Sequence, residues 1–397
     1  MLRSSVQEMK LRNAYPRTVG LKHLTTLTHL SIDDSSISDT AGARRLARML
    51  RICTSLADLS LALNLTIDSG CKVSQDEALR SAVTSLPHLT SLHLAGQLGR
   101  TFDTIQEDIP QLVRLRLDFL EFRALAVCGT VLARTRSALQ HMHMEGFRVE
   151  HRELSNSMTA LFPFLTCLHL NGRVDEGADV YIPALPAPLR SLTLAGFNIT
   201  GSLNQLSQLT ELHTFSTSAV TPRGMEKHTR PGHQLIDLFA ALPVSLTDLN
   251  VSDASYLPEK AAHLLVRLTA LQKLRLCSMG GCTSGVAALA CHISSLAELT
   301  SFTADWGGPR NNRMWGLPSP PHAWEAMLHS LQNLPKLCAD DARPAQLVAK
   351  MTSPRDGPMY TKEMCDALKA CIRGEAPHPD PDIPTIGDFP EIAWDAL

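Results

Sequence analysis

Two short segments of the chain carry side chains that could together bind a metal ion. One residue separates His141 from His143, and one residue separates Cys167 from His169. In an extended segment, residues two apart point to the same face, so neighbouring strands would place these four ligands close together, as zinc requires. An open sheet holds side chains nearly parallel and supplies no enclosing shell of supporting groups. We therefore predict that the protein holds no metal and no cofactor. The sequence alone does not decide whether these four residues bind zinc.

No sequence pattern typical of catalysis is present. The chain lacks the phosphate-binding G-x-x-x-x-G-K-[ST], the metalloprotease H-E-x-x-H and the hydrolase G-x-S-x-G. Cys277, Cys282, Cys291 and His292 lie near one another, but their spacing matches no zinc finger. The sequence therefore predicts that the protein is not an enzyme and has no catalytic residues. A metal-dependent or hydrolytic enzyme is an alternative that these absences disfavour.

A recurring phrase, L-x-x-L-x-L, organises most of the chain. The segment that begins at Leu89 shows it most clearly, with leucines also at 92 and 94. In a strand, the second and third leucines of the phrase share a face, and the first folds in behind them. Eleven copies are recognised, starting at Leu27, Leu56, Leu89, Leu112, Leu139, Leu165, Leu189, Leu209, Leu246, Leu271 and Leu299.

One such unit cannot bury its apolar face alone, but stacked units share a continuous core. Each buried leucine contributes about 1.5–3 kcal/mol, so a stack of eleven copies offsets the ordering cost of the chain. Helices are expected to connect the strands, over residues 39–53, 75–86, 124–139, 153–161, 234–242, 258–268 and 285–296. The units within 165–212 are short and proline-containing, and are expected to return through coil or a short tight helix.

The phrase resembles that of the leucine-rich repeat superfamily over about residues 21–340. Several longer units are similar to the ribonuclease-inhibitor-like subclass. The family usually carries Asn or Cys three residues after the third leucine, and here only Asn64 fits, so the resemblance is to a divergent member. It implies an α/β horseshoe-shaped solenoid with a parallel sheet on the concave side and helices or coil on the convex side.

Two flanking segments are expected to lie outside the repeat array. Residues 1–20 are basic and could be a mitochondrial presequence or a frayed cap over the first repeat. Residues 21–340 form the solenoid with its C-terminal cap, and residues 341–397 hold a short helix followed by an acidic, proline-rich tail. The tail could dock on a partner, fold back on the solenoid or stay disordered.

The composition sets limits on the surroundings of the protein. The chain has 397 residues, 19% of them charged, and a formal net charge of −2. No run approaches the roughly 20 apolar residues of a membrane-spanning helix, so no membrane is expected as a partner. The ten cysteines are scattered rather than paired at the ends of the repeats. This pattern favours an intracellular protein, cytoplasmic before mitochondrial.

Residues between the leucines point away from the core and, because parallel strands lie about 4.8 Å apart, they form columns across the sheet. These columns contain nine acids, namely Asp33, Asp34, Asp58, Asp118, Glu145, Glu211, Asp248, Asp253 and Asp305. They contain four bases, Arg114, Arg116, Lys273 and Arg275. The face therefore lacks the basic surface that nucleic acid requires, and nucleic acid is not expected as a partner except as part of a larger assembly. A basic or mixed protein surface is the better complement to this face.

The sequence thus predicts a non-enzymatic scaffold that binds a protein of unknown identity on the concave face. The expected contacts lie in the polar columns or just beyond them: His93, Arg114, Arg116, His141, His143, His169, His213, Asp248, Arg275 and Trp306. The alternative is a structural subunit of a large assembly, such as a mitochondrial one. The sequence identifies neither the partner nor the biological process.

Overall fold

A computed structural model describes most of the repeat region. The described residues are 7–12, 21–34, 40–63, 74–96, 109, 111–122, 138–149, 162–174, 179–181, 185–195, 198–200, 203–217, 232–252, 257–277, 283–304, 327, 330–331, 334 and 336. The helices expected at 124–139 and 153–161 and the segment 341–397 lie wholly or almost wholly outside them.

The strands follow the repeat phrase along the chain. They are β1 (Glu8–Arg12), β2 (His29–Asp34), β3 (Asp58–Leu63), β4 (Ser91–Ala95), β5 (Arg114–Phe122), β6 (His141–Val149), β7 (Cys167–Val174), β8 (Asp179–Tyr181), β9 (Ser191–Ala195), β10 (Asn198–Thr200), β11 (Thr214–Thr217), β12 (Asp248–Val251), β13 (Lys273–Leu276) and β14 (Ser301–Ala304). Twelve of them form one parallel sheet in chain order, and β8 pairs with β10 in a separate small ladder.

The inward leucines align from strand to strand as the phrase predicts. Leu59 pairs with Leu92, which pairs with Leu115, and the same register continues to β9 through Met142 and Leu168. Burial alternates along these strands, with the leucines inside and the intervening residues half-buried. The stacking of repeats into one apolar core is therefore confirmed.

One repeat has a different frame from the predicted one. Strand β11 pairs with β9 so that Phe215 and Thr217 lie beside the two inward leucines of β9. The phrase in this repeat therefore begins at Leu212, and the predicted start at Leu209 is wrong. Phe215 is fully buried in place of the second leucine, and Thr217, with no exposed surface, replaces the third.

This shift changes which residues point away from the core. Thr214 and Ser216 occupy the columns of the exposed face, where the sequence placed Glu211 and His213. His213 instead precedes the strand by one residue, and Glu211 lies in the turn before it. The physical reason is that the observed frame buries the ring of Phe215, which the predicted frame would have turned outwards, while Leu209 and Leu212 are still buried.

Threonine hydroxyls connect successive repeats at the N-terminal ends of the strands. In five repeats, the residue after the first leucine is a threonine whose Oγ1 donates to a backbone carbonyl of the preceding repeat at 3.0–3.2 Å. The donors are Thr28, Thr90, Thr166, Thr247 and Thr300, and the acceptors are the carbonyls of Gln7, Ala57, Gln140, His213 and Gln272. Donor and acceptor occupy equivalent positions, which independently supports the frame that begins at Leu212.

The edge strand β1 was not foreseen from the sequence. It lies within the basic segment 1–20 and pairs in parallel with β2, joining Met9 to Leu30 and Leu11 to Ile32. Met9 and Leu11 are partly buried against the core. This strand has only two apolar residues and does not contain the leucine phrase. It is therefore recognised only by its pairing with β2.

The helices lie behind the sheet and complete the core. They are α1 (Thr40–Ile52), α2 (Ser74–Thr84), α3 (Gly232–Ala241), α4 (Glu259–Leu265) and α5 (Thr283–His292). Leu46, Leu79 and Leu238 are buried in the same cluster as the strand leucines. A helix is about 10–12 Å wide, whereas strands are about 4.8 Å apart, so the sheet curves with its free face on the concave side.

The short repeats between β7 and β11 return without an α-helix in their described parts, as expected. A 3₁₀ helix spans Leu203–Gln208, with Leu206 buried, and β8 and β10, which precede and follow β9 in the chain, pair with each other. No described helix has the length and apolar character needed to cross a membrane. The architecture is an α/β solenoid with a parallel sheet and a helix-or-coil outer side.

An arginine from one repeat caps the helix of the preceding one. Nη2 of Arg267 donates to the carbonyls of Phe239 and Leu242, both at 2.9 Å, and also to that of Ala240. These carbonyls are at the C-terminal end of α3, where intrahelical partners run out and a positive charge is favoured by the helix dipole.

We expect Arg267→Met to lower the free energy of unfolding by about 1–2 kcal/mol, because hydrogen bonds from a charged donor are lost while the aliphatic stem remains. Urea unfolding monitored by circular dichroism measures this change. Arg48→Met, on the exposed side of α1, is the control and should change stability by less than about 0.5 kcal/mol. Equal effects of the two substitutions would contradict the capping role.

Candidate functional site

The free face of the sheet carries two main columns of side chains between the buried ones. Nearly all the predicted contact residues with described positions lie in these columns: His93, Arg114, Arg116, His141, His143, His169, Asp248 and Arg275. His213 lies just before β11, outside the columns, and Trp306 falls outside the described residues. Whether any of these residues touches a partner stays a prediction.

The centre of the face is a connected network across β3 to β6. Asp118 accepts hydrogen bonds from Arg116 Nε, at 3.0 Å to Oδ1 and 2.8 Å to Oδ2. Nε2 of His93 lies 2.8 Å from Asp118 Oδ2, and the other ring nitrogen lies 2.9 Å from Ser60 Oγ. Arg116 and His93 therefore share the half-buried carboxylate of Asp118, and Ser60 joins the network through His93.

Glu145 extends this network by one strand. Its Oε2 lies 3.8 Å from Arg116 Nη2 and 3.5 Å from His143 Nε2, and its Oε1 is 3.4 Å from Asn171 Nδ2. The same nitrogen of His143 is 3.7 Å from Asp118 Oδ1. The strand register shifts directly after both carboxylates, an irregularity that re-aims side chains.

His143 and His169 stack face to face. Their ring centroids are 3.9 Å apart and their planes differ by 3°. Burial lowers the pKa of His169, and the neighbouring His143 lowers it further. At neutral pH this histidine is therefore uncharged, and the stack is a flat imidazole platform beside the carboxylates.

The four residues first considered for zinc do not converge. His141 and Cys167 are neighbours in one column of the face, and each lies two residues before a stacked histidine of the next column. Parallel stacked rings hold their nitrogens side by side rather than around one ion. Separately, burial lowers the pKa of His141, and the nearby Arg114 lowers it further. Among the described residues, the group whose ligand atoms do come together is Asp118, His143 and Glu145, within 4.8 Å of one another.

Ser60, His93 and Asp118 form a hydrogen-bonded chain like that of a serine hydrolase. Such a triad also needs donors for the oxyanion. Ser60 lies on β3, which is paired on both sides with β2 and β4, so the nearby backbone N–H groups are used in the sheet. The chain of three residues therefore orients His93, and it lacks the second half of an acyl-transfer site.

The far end of the face is simpler. Nζ of Lys273 lies 3.8 Å from Asp248 Oδ2, and Nε of Arg275 donates to Cys277 Sγ at 3.2 Å. Between the two ends, β9 and β11 present only small polar residues in the columns, Ser191, Thr193, Thr214 and Ser216. Strands without charged side chains in these columns therefore separate the centre of the face from its C-terminal end.

The described part of the face carries six acids and five bases. Its acids are Glu8, Asp33, Asp58, Asp118, Glu145 and Asp248, and its bases are Lys10, Arg114, Arg116, Lys273 and Arg275. Of the nine predicted acids, Glu211 is not on the face, and the side chains of Asp34, Asp253 and Asp305 lie outside the described residues. The edge strand β1 adds one acid and one base that the sequence sum left out. Among the described residues, the two signs nearly balance.

Three residues of this hydrogen-bonded network were not predicted from the sequence. Asn171, Ser60 and Asp118 were not among the predicted contacts, although Asp118 and Glu145 were counted as charges. The usable signal was that both carboxylates follow the third inward residue of adjacent repeats, which places them side by side. Hydrogen bonds between repeats about 25 residues apart in sequence are not visible in any local pattern.

The repeat phrase, the twelve-stranded parallel sheet and the buried leucine columns together define a leucine-rich repeat fold. The ribonuclease-inhibitor-like subclass stays a prediction. No model of a known protein family and no curated protein matches the chain.

Three solved structures are similar at low identity. The Toll–Spatzle complex of Drosophila has 12% identity and a TM-score of 0.43 over 76% of this chain, and the TLR13–ssRNA13 complex has 17% and 0.38 over 72%. CroV588, described as a circular LRR protein, has 15% and 0.23 over 74%. The matches cover 40–42% of those chains. At these scores, the fold assignment rests on this chain's own sheet and leucine register.

Proposed function

We propose that the protein is a non-enzymatic scaffold that binds a protein partner on the free face of the sheet. The observation that carries this proposal is the continuous array of outward columns over twelve parallel strands, with the helices confined to the other side. Such a face is rigid, because each strand is held by two neighbours and by a shared core. It can therefore present many side chains in a pre-organised arrangement, which reduces the ordering cost of binding.

The distribution of charge supports a protein partner of mixed charge. Arg114 and Arg275 are exposed at two separate places on the face, and Asp33 is exposed near its N-terminal end. A phosphate backbone needs a continuous basic surface, whereas opposite charges in alternation suit a protein surface of complementary pattern. Arginine is also the charged residue most enriched in protein interfaces.

Two alternatives belong to other classes of protein. A structural subunit of a large assembly would use the same face, and the native mass in cell extract separates it from a scaffold with exchangeable partners. An enzyme built on the Ser60–His93–Asp118 chain would also need donors for an oxyanion, and the backbone of β3 around Ser60 is paired in the sheet on both sides. A compartment other than the cytoplasm, including the mitochondrion, is compatible with all three functions.

The test is the double substitution Arg114→Glu and Arg275→Glu in the full-length, tagged protein. We expect the amount of partner captured from cells to fall at least about tenfold, because a reversed charge at an interface costs more than about 1.4 kcal/mol. The measurement is quantitative mass spectrometry of the captured proteins against the wild type.

The matched control is Arg44→Glu with Arg48→Glu. Both residues are exposed on α1, on the helical side, and the change in net charge is the same. Capture should be unaffected by this control. Partners that are lost with the helical variant and retained with the sheet variant would place the binding surface on the opposite side of the solenoid.

A further inference from the structure

We infer that Asp118, His143 and Glu145 form a binding site for a divalent transition-metal ion, with zinc as the best fit. Each residue offers one ligand atom, and these atoms lie within 4.8 Å of one another. Nε2 of His143 is near Asp118 Oδ1 and Glu145 Oε2. Zinc binds imidazole nitrogen and carboxylate oxygen, and sites with three protein ligands leave a fourth position for water or another ligand.

The spacing of the ligand atoms fits a metal better than a hydrogen bond. Nε2 of His143 is 3.5 Å from Glu145 Oε2 and 3.7 Å from Asp118 Oδ1. Hydrogen bonds from a ring nitrogen to oxygen measure about 2.7–3.2 Å. Tetrahedral zinc with bonds of about 2.0–2.2 Å separates its ligands by about 3.3–3.6 Å. The two gaps are therefore close to the edges of a zinc tetrahedron.

Each ligand is already oriented by a supporting group. Oδ2 of Asp118 accepts from His93 Nε2 and Arg116 Nε, both at 2.8 Å. Oδ1 lies 3.7 Å from His143 Nε2 and also accepts from Arg116 Nε at 3.0 Å. Glu145 uses Oε1 for Asn171 Nδ2 at 3.4 Å, which leaves Oε2 as the ligand atom. Supporting contacts of this kind fix the geometry of metal ligands and raise affinity.

The stacked histidine restrains the third ligand. The ring of His169 is stacked on that of His143, with centroids 3.9 Å apart and planes that are parallel to within 3°. This packing holds the plane of His143 while its Nε2 faces the carboxylates. An open sheet alone does not enclose an ion, but the network across β4 to β7 supplies the support that a flat surface lacks.

The charge balance leaves room for a divalent cation. Asp118 and Glu145 contribute two negative charges and Arg116 one positive charge, so these three side chains carry a net charge of −1. The guanidinium is bonded to Asp118, while its contact with Glu145 at 3.8 Å is long. A bound zinc would displace that long contact and the 3.0 Å bond to Asp118 Oδ1, while the 2.8 Å bond from Arg116 Nε to Asp118 Oδ2 would remain. Calcium is disfavoured, because it takes six to eight oxygen ligands.

The test is zinc binding to chelator-treated, full-length protein, measured by isothermal titration calorimetry. The wild type is compared with Asp118→Asn/Glu145→Gln, in which the amides keep the shape of the side chains and remove both charges. We expect the variant to lose one equivalent of bound zinc, or to bind it at least about 100-fold more weakly, since lost ligands exceed the roughly 10–100-fold effect of supporting groups.

The matched control is Asp33→Asn/Asp248→Asn, which removes two carboxylates from the same face outside the cluster. It should bind zinc like the wild type, and circular dichroism should show all three proteins folded. No uptake of zinc by the wild type, or equal uptake by both variants, would overturn the proposal.

Cobalt substitution separates this site from the cysteine-containing alternative. Cobalt bound by Asp118, His143 and Glu145 should show tetrahedral visible bands without a thiolate charge-transfer band. A thiolate band that disappears in Cys167→Ala would instead assign the metal to His141, Cys167 and their neighbours, and would overturn the proposed ligand set.

Discussion

Replacing Leu192 with aspartate is expected to unfold the repeats around β9. Leu192 has no exposed surface and lies between Leu168 and Phe215 on the neighbouring strands. The change removes a leucine worth about 1.5–3 kcal/mol and places a charge in the core, which costs several kcal/mol more. The sum is comparable with the whole stability of a typical domain, about 5–15 kcal/mol.

The measurement is urea unfolding together with limited proteolysis of the full chain. Because each repeat contacts only its neighbours, cleavage should begin in the repeats next to β9 rather than at the ends. Thr193→Asp is the control, since Thr193 is the next residue and lies in the outward column. It should change stability by no more than about 1 kcal/mol. Similar losses for both variants would show that the alternation of inward and outward residues in β9 is misassigned.

Gly285→Ala is expected to destabilise the protein, although the same change normally stabilises a helix. Gly285 lies in the first turn of α5 and is buried. A Cβ at this position would overlap the backbone carbonyl of Leu257, just before α4, and would come within 3.1 Å of the Leu257 Cγ. Backbone cannot rotate away as a side chain does, so α4 and α5 must move apart.

We expect a loss of about 2–3 kcal/mol, in the range of overpacked cores, instead of the gain of about 1 kcal/mol that helix propensity predicts. Thermal and urea unfolding measure it. Ala288→Gly, one turn later in α5 and only half-buried, is the control and should cost about 1 kcal/mol by propensity alone. A stabilising effect of Gly285→Ala would mean that α4 and α5 are not in close contact at this point.

The candidate site was only partly visible from the sequence. The spacing of His93, His143 and His169 placed them on one face of β4, β6 and β7, and the structure agrees. The charge sum counted Glu211 as an outward acid because one repeat was read in the wrong frame. It left out Glu8 and Lys10 because the edge strand was not recognised. The interacting partners of these histidines depend on which strands are neighbours, and no window of the sequence contains both members of such a pair.

The leucine periodicity by itself determined that the chain folds as stacked parallel strands. A phrase that repeats along the chain leaves an apolar face on every unit, and only stacking buries all of them. It also determined which residues point outwards in ten of the eleven copies, since alternation along a strand is a local property.

Only the tertiary structure decided the frame at Leu212, the addition of β1 and the network around Asp118. In the first case, Phe215 fills the core in place of a leucine that the phrase demanded. In the second, a strand without the phrase is stabilised by its neighbour. In the third, the ligand geometry of Asp118 and Glu145 follows from the register between repeats, which is set by packing across the whole sheet and not by local sequence.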